Sequence, residues 1–170
     1  MKILKIISII FFSFCLLGFN VKKETIITKK EVPADFNFTI HDGRNDGYSS
    51  EYKSFYRKYL NEERSIKVEL TKAEIEKIYS FIVKIKFSQM PVAFEPTGKG
   101  NVKSTTPSFN MSLVVFANGK KKYVSYDNGA TNDANDKNAK PFLDLCNMIW
   151  EILYKKQEIK ELPESDFRYE

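Results

Sequence analysis

Apolar and polar residues alternate on both sides of Asn118-Gly119, across residues 109–127 (FNMSLVVFANGKKKYVSYD). A period of two is the mark of a half-buried strand. An Asn-Gly pair accepts the two positive φ angles of a type I′ turn, whose twist matches that of the strands it joins. Closing a hairpin on that pair sets Ala117 opposite Lys120, Val115 opposite Lys122, Leu113 opposite Val124 and Met111 opposite Tyr126. The other face then pairs Phe116 with Lys121, Val114 with Tyr123 and Ser112 with Ser125. Large apolar side chains concentrate on the first face, which is the predicted core face.

The remaining pattern places strands beside this hairpin and helices over it. Residues 35–41 (DFNFTIH) alternate with Phe36, Phe38 and Ile40 on one side and predict a strand, followed by turn residues through 42–47 (DGRNDG). Residues 48–60 fit two periods: Tyr48, Tyr52, Phe55, Tyr56 and Tyr59 have helical spacing, whereas Tyr52, Ser54, Tyr56, Lys58 and Leu60 alternate. Tyr and Phe favour strands, so a strand from about Tyr52 is the preferred reading. Residues 65–70 (SIKVEL) predict a further strand with Ile66, Val68 and Leu70 inward. Thr71-Lys72-Ala73-Glu74 is a capping box. It opens a helix over about 72–87 with Ile75, Ile78, Tyr79, Ile82 and Ile85 on one face. Residues 94–108, rich in Gly, Pro, Lys and Thr, read as a mobile loop, and residues 127–138 as another. A second helix spans about 139–156, with Phe142, Leu145, Cys146, Ile149, Ile152 and Leu153 as its apolar stripe and Pro141 in its first turn. Two helices over an antiparallel sheet of about five strands define a two-layer α+β fold. It forms a single domain over 35–163, with 164–170 as a tail.

The start of the chain has a different character. Lys2 and Lys5 precede an uncharged run from Ile6 to Val21, the pattern of an export signal over residues 1–20, followed by a charged tether over 21–34. The run is short for a bilayer span, which takes about 20 apolar residues. The expected location is periplasmic or secreted. Cys15 offers the alternative of a lipoprotein, which the bulky Phe14 before it disfavours. Removing residues 1–20 takes two lysines and no acid, and lowers the net charge from +5 to +3. That mild excess does not describe a nucleic-acid binder.

Candidate chemistry is sparse. His41 is the single histidine, so no multi-histidine metal site exists, and no serine or cysteine neighbours it in sequence. Cys146 lies on an apolar helix stripe without a cation to lower its pKa, as a structural thiol does. The spacing of a calcium loop fails from Asp42, where Arg44 takes the third position. From Asp133 it fails at Lys137 and Asn138. Seven Asp or Asn residues between 127 and 138 still leave that loop as a weak ion site. Gly98-Lys99-Gly100 lacks the spacing of a phosphate loop. The paired glutamates Glu62-Glu63 and Glu69/Glu74 fall on turns and surfaces. The expectation is a protein that is not an enzyme and takes no cofactor.

One feature resists dismissal. The hairpin face opposite the core carries Val114, Phe116 and Tyr123 beside Lys121. Either the tether or the second helix covers these side chains, or they form a partner surface, which Tyr and Phe with basic neighbours suit.

In layout, from export signal through β-meander, capped helix and Asn-Gly hairpin to a helix ending near Leu162-Pro163, the chain resembles small exported bacterial proteins. It is similar in the same way to the sheet-and-helix modules of secreted inhibitors and PepSY-type domains. The resemblance covers most of the mature chain and supplies no motif residues, so it implies no site. The reading that follows is an exported, non-catalytic binding domain of inhibitor or immunity type. It engages a protein partner of the cell envelope through a sheet face, at Val114, Phe116, Lys121 and Tyr123. The alternative is a small-ligand or calcium-binding envelope module using residues 127–138. Export is checked directly: N-terminal sequencing of protein from its host is expected to begin between about residues 19 and 22. An intact Met1 or a lipidated Cys15 contradicts it.

Overall fold

A computed structural model describes residues 31–94, 109–127 and 137–168. Within them lie β1 (Asn37–His41), β2 (Asp46–Ser49), β3 (Ser54–Lys58), β4 (Glu63–Lys67), α1 (Lys72–Lys84), a 3-10 turn (Phe87–Gln89), β5 (Ala93–Phe94), β6 (Asn110–Ala117), β7 (Lys120–Asp127), α2 (Lys140–Leu153) and α3 (Gln157–Lys160). The strands form one open sheet in the order β4-β3-β2-β1-β6-β7-β5. The fold is α+β. It differs from expectation in having seven strands and three helices among the described residues, and in a β5–β7 pairing that is parallel.

The two extra strands have local causes. The preferred strand forms within residues 48–60 as β3, without taking in all of them. These residues divide into the end of β2 and the whole of β3 around a turn in which Lys53 takes φ +51°. Tyr48 therefore faces the core opposite Phe55, and its aromatic neighbours at helical spacing belong to two different strands. β5 comes from the start of the expected loop. The Val92 carbonyl accepts from the Ser125 amide at 2.9 Å, and Phe94 enters the core beside Phe142, with ring centroids 5.7 Å apart. Residues 95–108 and 128–136 lie outside the described residues.

The central hairpin has the expected register throughout, from Ala117↔Lys120 to Asn110↔Asp127. Asn118 and Gly119 both hold positive φ, +54° and +70°, as a type I′ turn requires. The Asp35 carboxylate closes this turn by accepting from the amides of Asn118 (2.9 Å) and Gly119 (2.7 Å). Those two amides hold the Asp35 pKa below its ordinary value. At the opposite end of β1, Gly43 takes φ +78° against the backbone of Asn110, where a Cβ would stand 2.6 Å from a carbonyl carbon. The Asp42 side chain turns this loop by accepting from the amides of Arg44 and Asp46.

The core lies between one sheet face and the helices. Phe38, Ile40, Tyr48, Phe55, Leu113 and Val124 meet Ile78 from α1 and Phe142, Leu145, Ile149 and Leu153 from α2. Removing one buried Phe of this kind costs about 3–5 kcal/mol. The capping box at Thr71 forms in both directions. The Glu74 carboxylate also accepts from Lys156 Nζ at 2.6 Å, which joins the start of α1 to the end of α2. Burial raises the Glu74 pKa, but Lys156 and Thr71 outweigh it and hold the group below its ordinary value. α1 stops three residues earlier than expected. Lys86 adopts the left-handed conformation, φ +53°, and the chain tightens into the 3-10 turn. α2 likewise ends at Leu153, and α3 follows as a separate turn that buries Ile159. Ala139 precedes α2 without a side-chain cap of its own, and Pro141 lies in the first turn as expected.

The expected tail is docked. The Pro163 carbonyl accepts from Arg57 (3.1 Å) and Tyr59 (3.0 Å), the Asp166 carboxylate accepts from the Leu60 amide (2.9 Å), and Lys58 lies over the Phe167 ring. Arg57 in turn grips Asp46 through two donors, at 2.8 and 2.7 Å, and Tyr154 Oη donates to the same carboxylate at 3.0 Å. Both ion-pair partners are nearly buried, so this bidentate pair is held in fixed geometry.

Cys146 is fully buried on α2, and burial pushes its thiol pKa far up. The native thiol is expected to react with a thiol reagent many times more slowly than the denatured one. Fast stoichiometric labelling of the folded protein contradicts that burial.

Candidate functional site

Because α1 and α2 both pack on the Leu113–Val115 side, no helix among the described residues covers the opposite sheet face. The second helix, one of the two segments expected to cover it, lies elsewhere. Of the other, residues 21–30 of the tether fall outside the described residues.

The pairing registers lay this outer face out in rows. One row reads Lys121, Phe116, Asn37. The next reads Tyr123, Val114, Thr39, Ser49, Ser54, Lys67. The third reads Ser125, Ser112, His41, Gly47, Tyr56, Ser65. The four residues expected to bind a partner are therefore contiguous. Val114 opposes Tyr123, and Phe116 opposes Lys121 in the adjacent row. Tyr123 is 39% exposed, Lys121 is exposed, and Val114 and Phe116 are half-buried.

The polar third row explains what His41 does. Gly47 has no side chain, and the Tyr56 ring occupies that space; a Cβ on Gly47 would meet it at 2.2 Å. Tyr56 Oη thereby crosses β2 and lies 2.5 Å from His41 Nδ1. Burial lowers the His41 pKa, with the Asp42 carboxylate acting in the opposite sense. The hydrogen-bond partner of the imidazole is thus a tyrosine, rather than the serine or cysteine that nucleophilic chemistry uses. Among the described residues, no group of three or more His, Cys, Asp or Glu side chains gathers to hold a metal. Most of the expected calcium loop, residues 128–136, lies outside the described residues.

A concave feature elsewhere on the molecule was not legible in the sequence. The C-terminal end of α1, the 3-10 turn and the tip of the hairpin enclose a groove of about 450 Å³. Tyr79, Ile82, Val83, Val115 and Ala117 supply its apolar wall, and Lys86, Lys120 and Lys122 its charge. The Lys120–Lys122 run is visible in the sequence, but Lys86 joins it only where the end of α1 and the hairpin line one groove. No helix among the described residues is long and apolar enough to cross a membrane. No protein-family model matches the chain, and no curated protein matches its sequence significantly.

The His41–Tyr56 pair has a measurable signature. With the folded pKa below the ordinary value of 6.5, the unfolded chain binds the proton more readily, so stability falls as pH drops through and below that value. NMR titration of this single histidine is expected to give a pKa below 6.5. Gly47→Ala, which displaces the Tyr56 ring, is expected to expose the imidazole and move the pKa back up. A wild-type titration at or above the ordinary value contradicts the arrangement.

Proposed function

We propose that this protein is an exported, non-catalytic binding domain of inhibitor or immunity type, which engages a protein partner of the cell envelope through its outer sheet face. The observation that carries the reading is the one-sided placement of the helices. It leaves Val114, Phe116 and Tyr123 adjacent, half-buried to exposed, on a face where a sheet covered on one side ordinarily shows polar residues. Tyr and Phe bring large contact area at low entropic cost, and partner anchors are drawn from such residues. Lys121 at the end of Phe116's row gives the face a basic margin, whereas Lys67 at the far end of Tyr123's row is ion-paired with Glu69 at 3.6 Å. A partner surface that complements Lys121 is acidic, and such charge complementarity chiefly speeds encounter and sets orientation.

Two alanine variants test the reading. Tyr123→Ala and Phe116→Ala are expected to weaken partner capture by up to about 2 kcal/mol, as loss of an interface anchor does, while thermal melting stays close to wild type. If the protein's own residues cover the face, the variants instead lose about 3–5 kcal/mol of stability, as for a buried Phe cut to Ala. A melting-temperature fall of that size overturns the reading.

A further inference from the structure

We propose that the groove between α1 and the hairpin tip binds a single-chain anionic amphiphile, an alkyl carboxylate of the fatty-acid class. The carboxylate sits among Lys86, Lys120 and Lys122, and the chain lies along the wall formed by Tyr79, Val83 and Ala117.

Three observations meet here. The first is charge without compensation. No acidic side chain lines the groove, and neither Lys86 nor Lys120 has an ion-pair partner among the described residues, although both are exposed. Lys122 is half-buried and its ammonium is fixed, donating to the Met90 carbonyl at 2.5 Å. Three lysines lining one groove without an acidic neighbour favour an anionic ligand, since charge-assisted hydrogen bonds to a carboxylate are the strong ones. The second observation is exposed apolar surface in the same place. Val83 is 37% exposed on a helix whose neighbouring turns bury Tyr79 and Ile82. A mostly apolar concavity of a few hundred Å³ with a few convergent polar groups is the common form of a small-ligand site.

The third observation orients the ligand. The groove shares Tyr79 and Asn118 with a second hollow of about 360 Å³, walled by Val32, Pro33 and Ala34 and edged by Glu31. Glu31 repels a carboxylate, while the Val32–Ala34 wall accepts methylenes. The head group therefore belongs at the lysine end and the tail points across Tyr79 toward Pro33.

Isothermal titration of the protein with dodecanoate, below its micelle-forming concentration, tests the proposal. The expected result is one site per chain, weakened at high salt, with dodecanol and acetate each binding at least about tenfold more weakly, since neither supplies both head and tail. Lys86→Gln with Lys120→Gln is expected to weaken dodecanoate about tenfold, whereas Lys86→Arg with Lys120→Arg, which keeps the charge, retains binding. Lys121→Gln, on the other sheet face, leaves binding unchanged. The proposal is overturned if dodecanoate does not bind, if dodecanol binds equally well, or if Lys121→Gln weakens binding as much as the double variant. Binding of a short acidic peptide in place of dodecanoate overturns it as well, and assigns the groove to a peptide.

Discussion

The register of the Asn118-Gly119 hairpin decides what every other part of the sheet can do. A strand repeats every two residues, so a slip by one residue at this turn would send Leu113, Val115, Val124 and Tyr126 to the outside. It would bring Val114, Phe116 and Tyr123 against the helices. Two devices hold the register. The Asn-Gly pair supplies the left-handed conformations, and the Asp35 carboxylate binds both turn amides. Asp35 also sits just before β1, the strand that pairs with β6. One carboxylate therefore fixes the turn and the entry of the neighbouring strand together. From there the alternation passes across β1, β2 and β3 as Ile40 opposes Leu113, Tyr48 opposes Ile40 and Phe55 opposes Tyr48.

The far side of the sheet needs a different solution. β3 and β4 carry Arg57 and Arg64 on the core-side face, next to Asp46 in the same row. A charge there is tolerable only when paired. Asp46 accepts from Arg57 twice and from Tyr154, and Arg57 passes a further hydrogen bond to Pro163. Truncating one partner of such a pair costs about 3–5 kcal/mol, mostly because the other charge is left buried alone. Burial and the nearby Asp46 carboxylate also keep the Tyr154 hydroxyl protonated well above its ordinary range. The network closes the layer where apolar side chains run out, and it explains why the chain after α3 is held against β3 and does not trail free.

The elements legible in the sequence are those whose signal is local. The hairpin, the capping box at Thr71 and the apolar stripe of α2 each rest on residues a few positions apart, and each stands where the pattern puts it. The misreadings come from contacts made at long range. Residues 48–60 look ambiguous because their aromatic residues divide between two strands, and the left-handed turn at Lys53 that separates them involves no glycine or asparagine. Phe94 looks like loop because only Tyr126 and Phe142, distant in sequence, make it core. The docking of Pro163 and Asp166 has no local signal, because their anchors, Arg57, Tyr59 and Leu60, precede them by about a hundred residues. The four aromatic-face residues follow from the hairpin register alone, so their adjacency was readable. The groove was not, because Lys86 joins Lys120 and Lys122 only through the folded arrangement of the end of α1 and the hairpin.

The lysine run Lys120-Lys121-Lys122 shows how much this distinction matters. In the sequence it is one basic cluster, and a reader would assign it one role. In a strand its members alternate. Lys121 lies beside Phe116 on the outer face, while Lys120 and Lys122 lie on the core side at the rim of the helix layer, where they meet Lys86. The run therefore contributes one charge to a flat aromatic surface and two to a concave one, and the two surfaces suit different occupants. A flat face with Tyr and Phe anchors suits a macromolecule, whereas a groove with lysines at one end of an apolar wall suits a small acidic ligand. Both depend on the same turn. A substitution that loosened Asn118-Gly119 would disturb the spacing of all three lysines, whereas substitutions at Phe116 and at Lys86 act on opposite sides of the sheet and share no contact. Their effects should add, as they do for independent sites. Coupling between the two surfaces, if the protein has it, must therefore pass through the hairpin backbone.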